Sequence, residues 1–299
     1  MGAPRVSPTP IERLALYFGA LRTRQALLAR VELGLADPGD AALSAQLAHD
    51  LGAELRPDGS VGGAAVPTIW RAHELMDLGR GPGDPALSRV VGWVLQRQDA
   101  PGAYGEGCDK TRHTQRICEH YVRGFFSPAA ASERLAPITL PNGKAFRAEP
   151  AARFAISCLA LRAVLRAGMS DRPAVVRHLE SLRSLAEGWT DWTGLFAPDV
   201  IVAGLHALTL GGPSYRPTVE RLVLLVASQQ RADGQWDAAD LFQAIEALIA
   251  TGLPAARAVV RRAVPALEQR QRADGSFGAT AQQERALIGL RAIRWADAG

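Results

Sequence analysis

The sequence predicts an all-α fold, an α/α toroid in which six inner helices form a closed ring wrapped by outer helices. Three observations carry this prediction. A short turn motif recurs at the spacing of a helix pair, apolar helical patterns alternate with amphipathic ones, and matched residues begin and end the apolar segments. An open solenoid of the same helix pairs is the structural alternative.

The turn motif has the form Gln-x-x-x-Gly-x-aromatic. Its clearest copies run from Gln230 through Gly234 to Trp236 and from Gln271 through Gly275 to Phe277, and the second glycine follows the first by 41 positions. A third copy places Gln98, Gly102 and Tyr104 in the same frame, and residues 55–61 form a weaker one. Glycine at a fixed position indicates a sharp chain reversal after each outer helix.

The helical segments alternate in character along the chain. The amphipathic, outer set is predicted at 41–53, 85–98, 172–186, 216–230 and 256–271. The apolar, inner set is predicted at 68–79, 112–126, 152–168, 199–211, 240–252 and 283–295. Because a helix that is apolar on most faces must be buried and one with an apolar stripe can cover it, a ring of six wrapped helices satisfies both sets.

Two segments depart from the alternation. Residues 127–150 show no outer helix but contain Asn142-Gly143 between apolar residues, which predicts a hairpin in an inserted loop or lid. A long N-terminal helix at 10–34 is predicted to take the missing outer position. The whole chain, 1–299, is predicted to be one domain, with helix-pair repeats over 41–296.

Composition excludes several classes of protein. Thirty-four basic residues against 30 acidic ones give a net charge of +4, which is weak support for nucleic-acid binding. Three cysteines favour a reducing compartment, and the N-terminus lacks the pattern of a secretory signal. Apolar runs are too short for a transmembrane helix, so we expect a cytoplasmic protein with at most peripheral membrane contact.

The recurring turn resembles the QW-type repeat of the terpenoid cyclase and protein prenyltransferase superfamily, which includes squalene–hopene cyclases. The resemblance covers residues 41–296 and implies the α/α toroid, with the turns acting as structural staples. It also implies a cavity inside the ring near the N-terminal ends of the inner helices, and an isoprenoid or other hydrophobic substrate.

The catalytic signatures of that superfamily are not reproduced. The chain has no Asp-x-Asp-Asp tetrad, which class II cyclases use to protonate an alkene or epoxide. Against the zinc set of protein prenyltransferases, His113 falls where the resemblance would place aspartate and Gln115 where it would place cysteine. The resemblance is therefore specific for the fold and less so for the chemistry.

Acidic residues at the starts of inner helices are the candidates for a general acid. Asp199 and Asp240 begin consecutive inner helices, and Asp237 lies close by. Glu284, at the start of the sixth inner helix, extends this acidic arc and is predicted to contact the substrate. Two carboxylates at one rim raise the pKa of one of them, which suits proton donation. The alternative is that Asp199 and Asp240 are helix caps.

The densest cluster of reactive side chains lies at 108–121. Cys108, His113, Cys118 and His120 are candidate zinc ligands, but on a helix their spacing does not bring all four to one ion. As substrate-contacting residues we predict Arg112, Arg116 and His120 of this cluster, with His113 orienting the substrate, and Trp70 as a cavity wall.

The leading hypothesis is a terpenoid-cyclase-like enzyme that acts by acid-initiated cyclisation, with Asp240 or Asp199 as proton donor. The alternatives are a non-catalytic toroid that binds a lipid or peptide and a zinc-dependent peptide or prenyl transferase or cyclase.

Overall fold

A computed structural model of the chain describes residues 8–108, 120–128, 133–193 and 197–298. Within these ranges the chain forms twelve α-helices and four short strands. The outer helices are α1 (Pro10–Gly19), α3 (Asp40–Ala53), α5 (Pro85–Gln96), α7 (Pro173–Glu187), α9 (Arg216–Ser228) and α11 (Pro254–Arg270). The inner helices are α2 (Arg24–Leu33), α4 (Ala65–Asp77), α6 (Glu149–Arg166), α8 (Ala197–Leu208), α10 (Leu241–Ala250) and α12 (Gln282–Asp297).

The six inner helices form a closed ring, as the sequence predicts. Each contacts the next in the order α2, α4, α6, α8, α10 and α12, and α12 packs back onto α2. The outer helices cover the ring, with α11 packing against both α10 and α12. Helix α6 shows why the inner set is apolar: most of its side chains are buried, because the ring covers one side and outer helices the other.

The identity of one inner helix differs from the prediction. Residues 10–34 are not one outer helix but two helices, since Thr23 caps a new helix by accepting a hydrogen bond from the Ala26 amide. Helix α1 is outer and α2 is inner. The expected inner helix at 112–126 is wrong, because residues 120–123 form a strand. Helix α2 is not predicted as an inner helix because its charged residues are typical of a solvent-facing helix, whereas Arg24 is buried.

Among the described residues each of the six inner helices has an outer helix, and the departure from the repeat is the long segment 97–148 between α5 and α6. It contains a ladder of β1 (Gly105–Cys108) with β2 (His120–Arg123), and a second of β3 (Ile138–Thr139) with β4 (Ala145–Phe146). The predicted hairpin at Asn142-Gly143 is confirmed, and we call residues 138–146 the mouth hairpin. Its turn closes with a 2.8 Å hydrogen bond from the Gly143 amide to the Leu140 carbonyl.

The repeated turns join each helix pair to the next outer helix. Gly234 has a φ of +81°, and a Cβ there would lie 2.1 Å from the Arg262 carbonyl oxygen of α11. Gln230 donates to the carbonyls of Gly234 and Val259, at 2.9 and 3.0 Å. Glycine therefore permits both the positive φ of the turn and its close approach to α11. The hydrogen bonds of the glutamine hold the turn against α11.

The last copy of the turn closes the outer layer. Gln271 donates to the Pro10 carbonyl at 3.0 Å and accepts two hydrogen bonds from Arg13, so it fastens the turn to α1. A Cβ on Gly275 would lie 2.4 Å from the Arg13 carbonyl oxygen. The same motif that links successive pairs thus links the last pair to the first.

None of the helices in the described part of the chain combines the length and the apolar character that a membrane span requires.

Candidate functional site

The centre of the ring holds a polar cavity of about 170 Å³. All six inner helices contribute to its charged and ionisable lining, which consists of Arg24, His73, Asp77, Arg162, Arg166, His206, Glu246, Glu284 and Arg291. We call this the central cavity. It reaches the C-terminal ends of several inner helices, since Asp77 ends α4 and Arg166 ends α6.

Ion pairs cross the central cavity between helices that are neighbours in the ring. Arg24 contacts Asp77 and Glu284, both at 2.5 Å, and so connects α2 to α4 and α12. Arg166 contacts the other oxygen of Asp77 at 2.7 Å. Burial alone would raise the pKa of Glu284, and the nearby Glu246 adds to this, while Arg24 opposes it; the pKa of Glu284 is raised overall.

Two histidines in the central cavity are held in the neutral form. Burial lowers the pKa of His73 and of His206 well below the usual value, and the neighbouring Arg162 and Arg166 lower both further. His73 lies 3.0 Å from an Arg166 nitrogen through Nδ1 and 3.3 Å from the Leu159 carbonyl through Nε2. Because an arginine can only donate, Nδ1 accepts and Nε2 carries the proton.

Two further cavities lie at the N-terminal ends of the inner helices, which we call the mouth. The apolar mouth cavity, of about 530 Å³, is lined by the start of α4, the insertion and Ile156 of α6, comprising Ala64, Ala65, Val66, Pro67, Trp70, Glu133, Arg134, Leu135, Ile138, Thr139, Pro141 and Ile156. The second mouth cavity, of about 430 Å³, lies over the starts of α2 and α12 and includes Glu284.

Trp70 is the side chain shared by all three cavities. Its ring lies under the Arg24 guanidinium, 5.3 Å from the centroid, and beside His73. Pro141, in the mouth hairpin, separates the two mouth cavities together with Trp70. The structure thus places Trp70 as a cavity wall, the position predicted from the sequence.

The mouth hairpin covers the α8–α10–α12 side of the ring. Asn142 is buried and donates to Glu246 of α10 at 3.0 Å, so the hairpin tip enters the ring. Lys144 contacts Asp199 of α8 at 2.6 Å, and Arg285 of α12 donates to the Asn142 carbonyl at 2.9 Å. Three inner helices therefore hold this one short segment.

The predicted acids Asp199 and Asp240 lie near each other under the mouth hairpin. Burial raises the pKa of Asp199, Lys144 opposes that shift, and the charge of Asp240 adds to it. Asp240 caps α10 through hydrogen bonds from the Phe242 and Gln243 amides. Asp199 is not a cap, since it lies within the first turn of α8. Neither residue lines the three cavities described above.

The remaining predicted rim residues separate into two environments. Asp237 points to solvent, with its side chain 76% exposed and paired with Arg231 of the turn at 2.5 Å. It lines none of the three cavities. Glu284, by contrast, lines both the central cavity and the second mouth cavity. Of these four acidic residues, Glu284, predicted as a substrate contact, is the one that borders these spaces.

The predicted cysteine and histidine cluster is largely outside the described residues. This applies to Arg112, His113, Arg116 and Cys118. Cys108 and His120 are described as backbone, and they are directly opposite each other in the β1–β2 ladder. His120 therefore lies in a strand and not on the expected helix, while the spacing of His113 and Cys118 lies outside the described residues. Among the described residues no group of three or more His, Cys, Asp or Glu side chains is placed to hold a metal.

Sequence reasoning missed most of the central cavity. Arg162 and Glu246 lie within apolar inner segments, and Arg24 lies in a helix that was assigned to the outer layer. A usable signal was present, since a charged residue inside an otherwise apolar helix is seldom buried without a partner. Pairing those residues required the ring geometry.

Comparison with solved structures identifies the fold. A variant of the type II terpene cyclase MstE from Scytonema, bound to its substrate geranylgeranyl dihydroxybenzoate, matches with a TM-score of 0.56 and 13% identity, over 95% of this chain and 86% of that one. A second MstE variant, bound to merosterolic acid A, matches at 0.56 and 13%, over 96% of each chain.

An ent-copalyl diphosphate synthase from Streptomyces platensis gives a TM-score of 0.52 and 16% identity, over 97% of this chain and 51% of that one. No protein-family model matches the sequence, and no curated protein matches it either. The chain therefore has the terpenoid cyclase fold, at a level of identity that carries no residue-by-residue correspondence.

Proposed function

We propose that this chain, which has the terpenoid cyclase fold, is a terpenoid-cyclase-like enzyme that binds an isoprenoid or comparable hydrophobic chain in the apolar mouth cavity. The observation that carries the proposal is that cavity itself. At about 530 Å³ it has the size of a small-molecule site, and its lining is mainly aliphatic with Trp70 at its inner edge. The type II cyclases of similar fold act on isoprenoid chains.

Acid-initiated cyclisation needs a protonated carboxyl close to the hydrocarbon and a π face close to the developing cation. Glu284 is the first candidate for this acid, because burial raises its pKa and because it borders the second mouth cavity, which shares Trp70 and Pro141 with the apolar one. Trp70 fits the second requirement, since the negative face of an indole stabilises a cation. In this proposal Glu284 gives its proton to a terminal alkene or epoxide that extends past Trp70. The cyclised cation then loses one proton to water, from which Glu284 is protonated again, so the product is an isomer of the substrate.

Asp199 with Asp240 is the second candidate for the acid. Asp199 has a raised pKa and a like charge beside it. Its Lys144 partner belongs to the mouth hairpin, so Asp199 acts in this proposal only when the hairpin moves away. Arg112, Arg116, His113 and His120 remain proposed substrate contacts.

The proposal is tested by incubating the purified protein with linear isoprenoids of two to four units carrying alkene or epoxide ends, and analysing extracts by mass spectrometry and NMR. We expect a cyclised isomer of unchanged mass. Glu284→Gln keeps the shape of the side chain and removes the proton, and it should abolish turnover while binding persists. Asp199→Asn separates the second candidate, and Asp237→Asn is the matched exposed control.

A non-catalytic, lipid-binding toroid is favoured by a different observation. The mouth hairpin occupies part of the ring, and both candidate acids are ion-paired, Glu284 with Arg24 and Asp199 with Lys144. Native mass spectrometry distinguishes the two functions, because retention of an unchanged isoprenoid without any product supports binding alone. The zinc-dependent alternative requires stoichiometric zinc in metal analysis of the purified protein.

A further inference from the structure

The central cavity carries more arginines than carboxylates. Four arginines line it, against Asp77, Glu246 and Glu284. Three of the arginines have a carboxylate oxygen within 3.0 Å: Arg24 at 2.5 Å, Arg166 at 2.7 Å and Arg291, through Glu32, at 3.0 Å. The two histidines of the cavity add no charge at neutral pH, because their pKa values are depressed.

Arg162 is the exception among the four. The nearest carboxylate contact of its guanidinium is Glu246 at 3.5 Å, beyond the distance of a strong charged hydrogen bond. The other oxygen of Glu246 already accepts from Asn142 of the mouth hairpin. The Arg162 Nε, like that of Arg24, is buried and finds no acceptor among the described residues, but Arg24 has two close carboxylates and Arg162 has none. Its side chain is 14% exposed, so bulk water contributes little.

Burying a guanidinium without a close acceptor lowers the stability of the folded protein. Removing a charge from water costs several kcal/mol unless it is paired and its donors are satisfied. Burial lowers the pKa of Arg162, Glu246 opposes that shift, and the like charge of the neighbouring Arg166 adds to it. A side chain held this way in a polar cavity points to an acceptor that arrives from outside the chain.

We propose that the central cavity is a binding site for a small oxyanion, a carboxylate or a phosphate, held by Arg162. A guanidinium presents parallel N–H donors that match two oxygens of such a group. The volume of about 170 Å³ accommodates one oxyanion with its nearest waters, each of which takes about 30 Å³. The anion brings the close acceptor that Arg162 lacks.

Two sources can supply this oxyanion: a free ion, or the anionic end of a hydrophobic molecule that lies in the mouth. Trp70 borders the central cavity and both mouth cavities, so either source reaches Arg162 past the same side chain. The anion site itself does not depend on any reaction at the mouth.

The first experiment titrates the wild-type protein with inorganic phosphate and with acetate, at ionic strength matched with sodium chloride, by calorimetry and thermal unfolding. We expect saturable binding and an unfolding temperature raised by a few degrees, as for any ligand that binds only the folded state. If neither anion exceeds the chloride control, the proposal is overturned.

The second experiment compares Arg162→Met with Arg183→Met. Arg183 is on the outer helix α7, pairs with Glu180 and Glu187, and is 39% exposed, so it serves as the matched control. Affinity for the anion should fall at least tenfold in Arg162→Met and remain unchanged in the control. Retained affinity in Arg162→Met overturns the proposal.

If Arg162→Met does not fold, Arg162→Lys replaces it, since lysine keeps the charge but loses the fork of donors. Its affinity should again fall, and an unchanged affinity overturns the proposal.

The two sources of the anion are distinguished by comparing the binding of an isoprenoid carboxylate with that of the alcohol of the same chain. If the carboxylate binds more tightly than the alcohol only when Arg162 is present, the anion is the end of a hydrophobic ligand. Equal binding of both identifies a free ion.

Discussion

The turn after α9 and the turn after α5 share a motif but are used differently. After α9, Gly234 touches the backbone of α11 and Gln230 bridges two carbonyls. After α5, Gly102 has a φ of +87°, yet a Cβ there would meet nothing within 4 Å. The amide nitrogen of Gln98 finds no acceptor among the described residues, and the strand-like bridge of Gln98 to Phe126 takes the place of the staple.

The turn after α9 is held by backbone contact with the next outer helix, whereas the turn after α5 is held by side chains and is followed by a longer connection. The turn after α5 is still attached to the next outer helix, but through side chains: His178 lies 3.2 Å from the Asp99 carbonyl, and the Tyr104 amide donates to Ser181. Gly102 makes no contact like that of Gly234, and the connection from α5 to α6 is about fifty residues long, 97–148, with the inserted strands. That insertion supplies one wall of the apolar mouth cavity.

The largest expected effect comes from placing a methyl group on each glycine. Gly234→Ala combines a left-handed φ with a Cβ that would overlap the Arg262 carbonyl, so we expect a loss of more than about 3 kcal/mol in the free energy of unfolding. Gly102→Ala carries the conformational cost alone, about 1–2 kcal/mol. Urea denaturation of both variants measures the difference, and equal losses would contradict the distinction between the two turns.

The two glutamines should differ in the same direction by a smaller amount. Gln230→Ala removes hydrogen bonds to two carbonyls and to Arg262, and it should cost about 2 kcal/mol. Gln98→Ala removes an amide nitrogen without a described acceptor, so its effect should stay within about 0.5 kcal/mol. Chemical denaturation with matched buffers tests this pair. A larger loss for Gln98→Ala would show that the second turn is also a staple.

The smallest effect concerns the ion pair between the insertion and the ring. The pKa of Asp199 is raised in the folded protein, so its contribution is fully present below the unfolded value of about 3.9 and is lost as pH rises through the folded value. Lys144→Met removes a cause that lowers this pKa. The variant should therefore lose about 1 kcal/mol more than wild type between pH 4 and pH 7.

Asp199→Asn is the control for that pH dependence, because it has no proton to release and should flatten the dependence relative to wild type. Urea unfolding at several pH values checks both variants. A Lys144→Met profile parallel to that of wild type would mean that the hairpin lysine does not affect Asp199.

Much of the fold was predictable because local patterns specify it. The spacing of the turns, the apolar character of α6, α8, α10 and α12, and the Asn142-Gly143 hairpin were all read from the sequence. The errors fell where residue type and environment disagree. Helix α2 reads as a surface helix because Arg24 and Gln25 are polar, yet both contact Glu284.

The candidate site was predictable only in part, for the same reason. The sequence indicated Glu284, Trp70 and the insertion, because each has a distinctive position relative to a predicted helix. It could not indicate that Asn142 reaches Glu246, which is 104 residues away in the chain. Nor could it distinguish Asp240, which caps a helix, from Asp199, which contacts Lys144.

The sequence by itself determined the helix-pair architecture, since periodicity and turn chemistry act between residues that are close in the chain. Only the tertiary structure decided which six helices form the inner ring, what the mouth hairpin covers and which arginine is left without a close carboxylate. Those outcomes depend on the distances between side chains from different helices. Burial strengthens the interactions between charged side chains because it removes the water that would otherwise screen each charge.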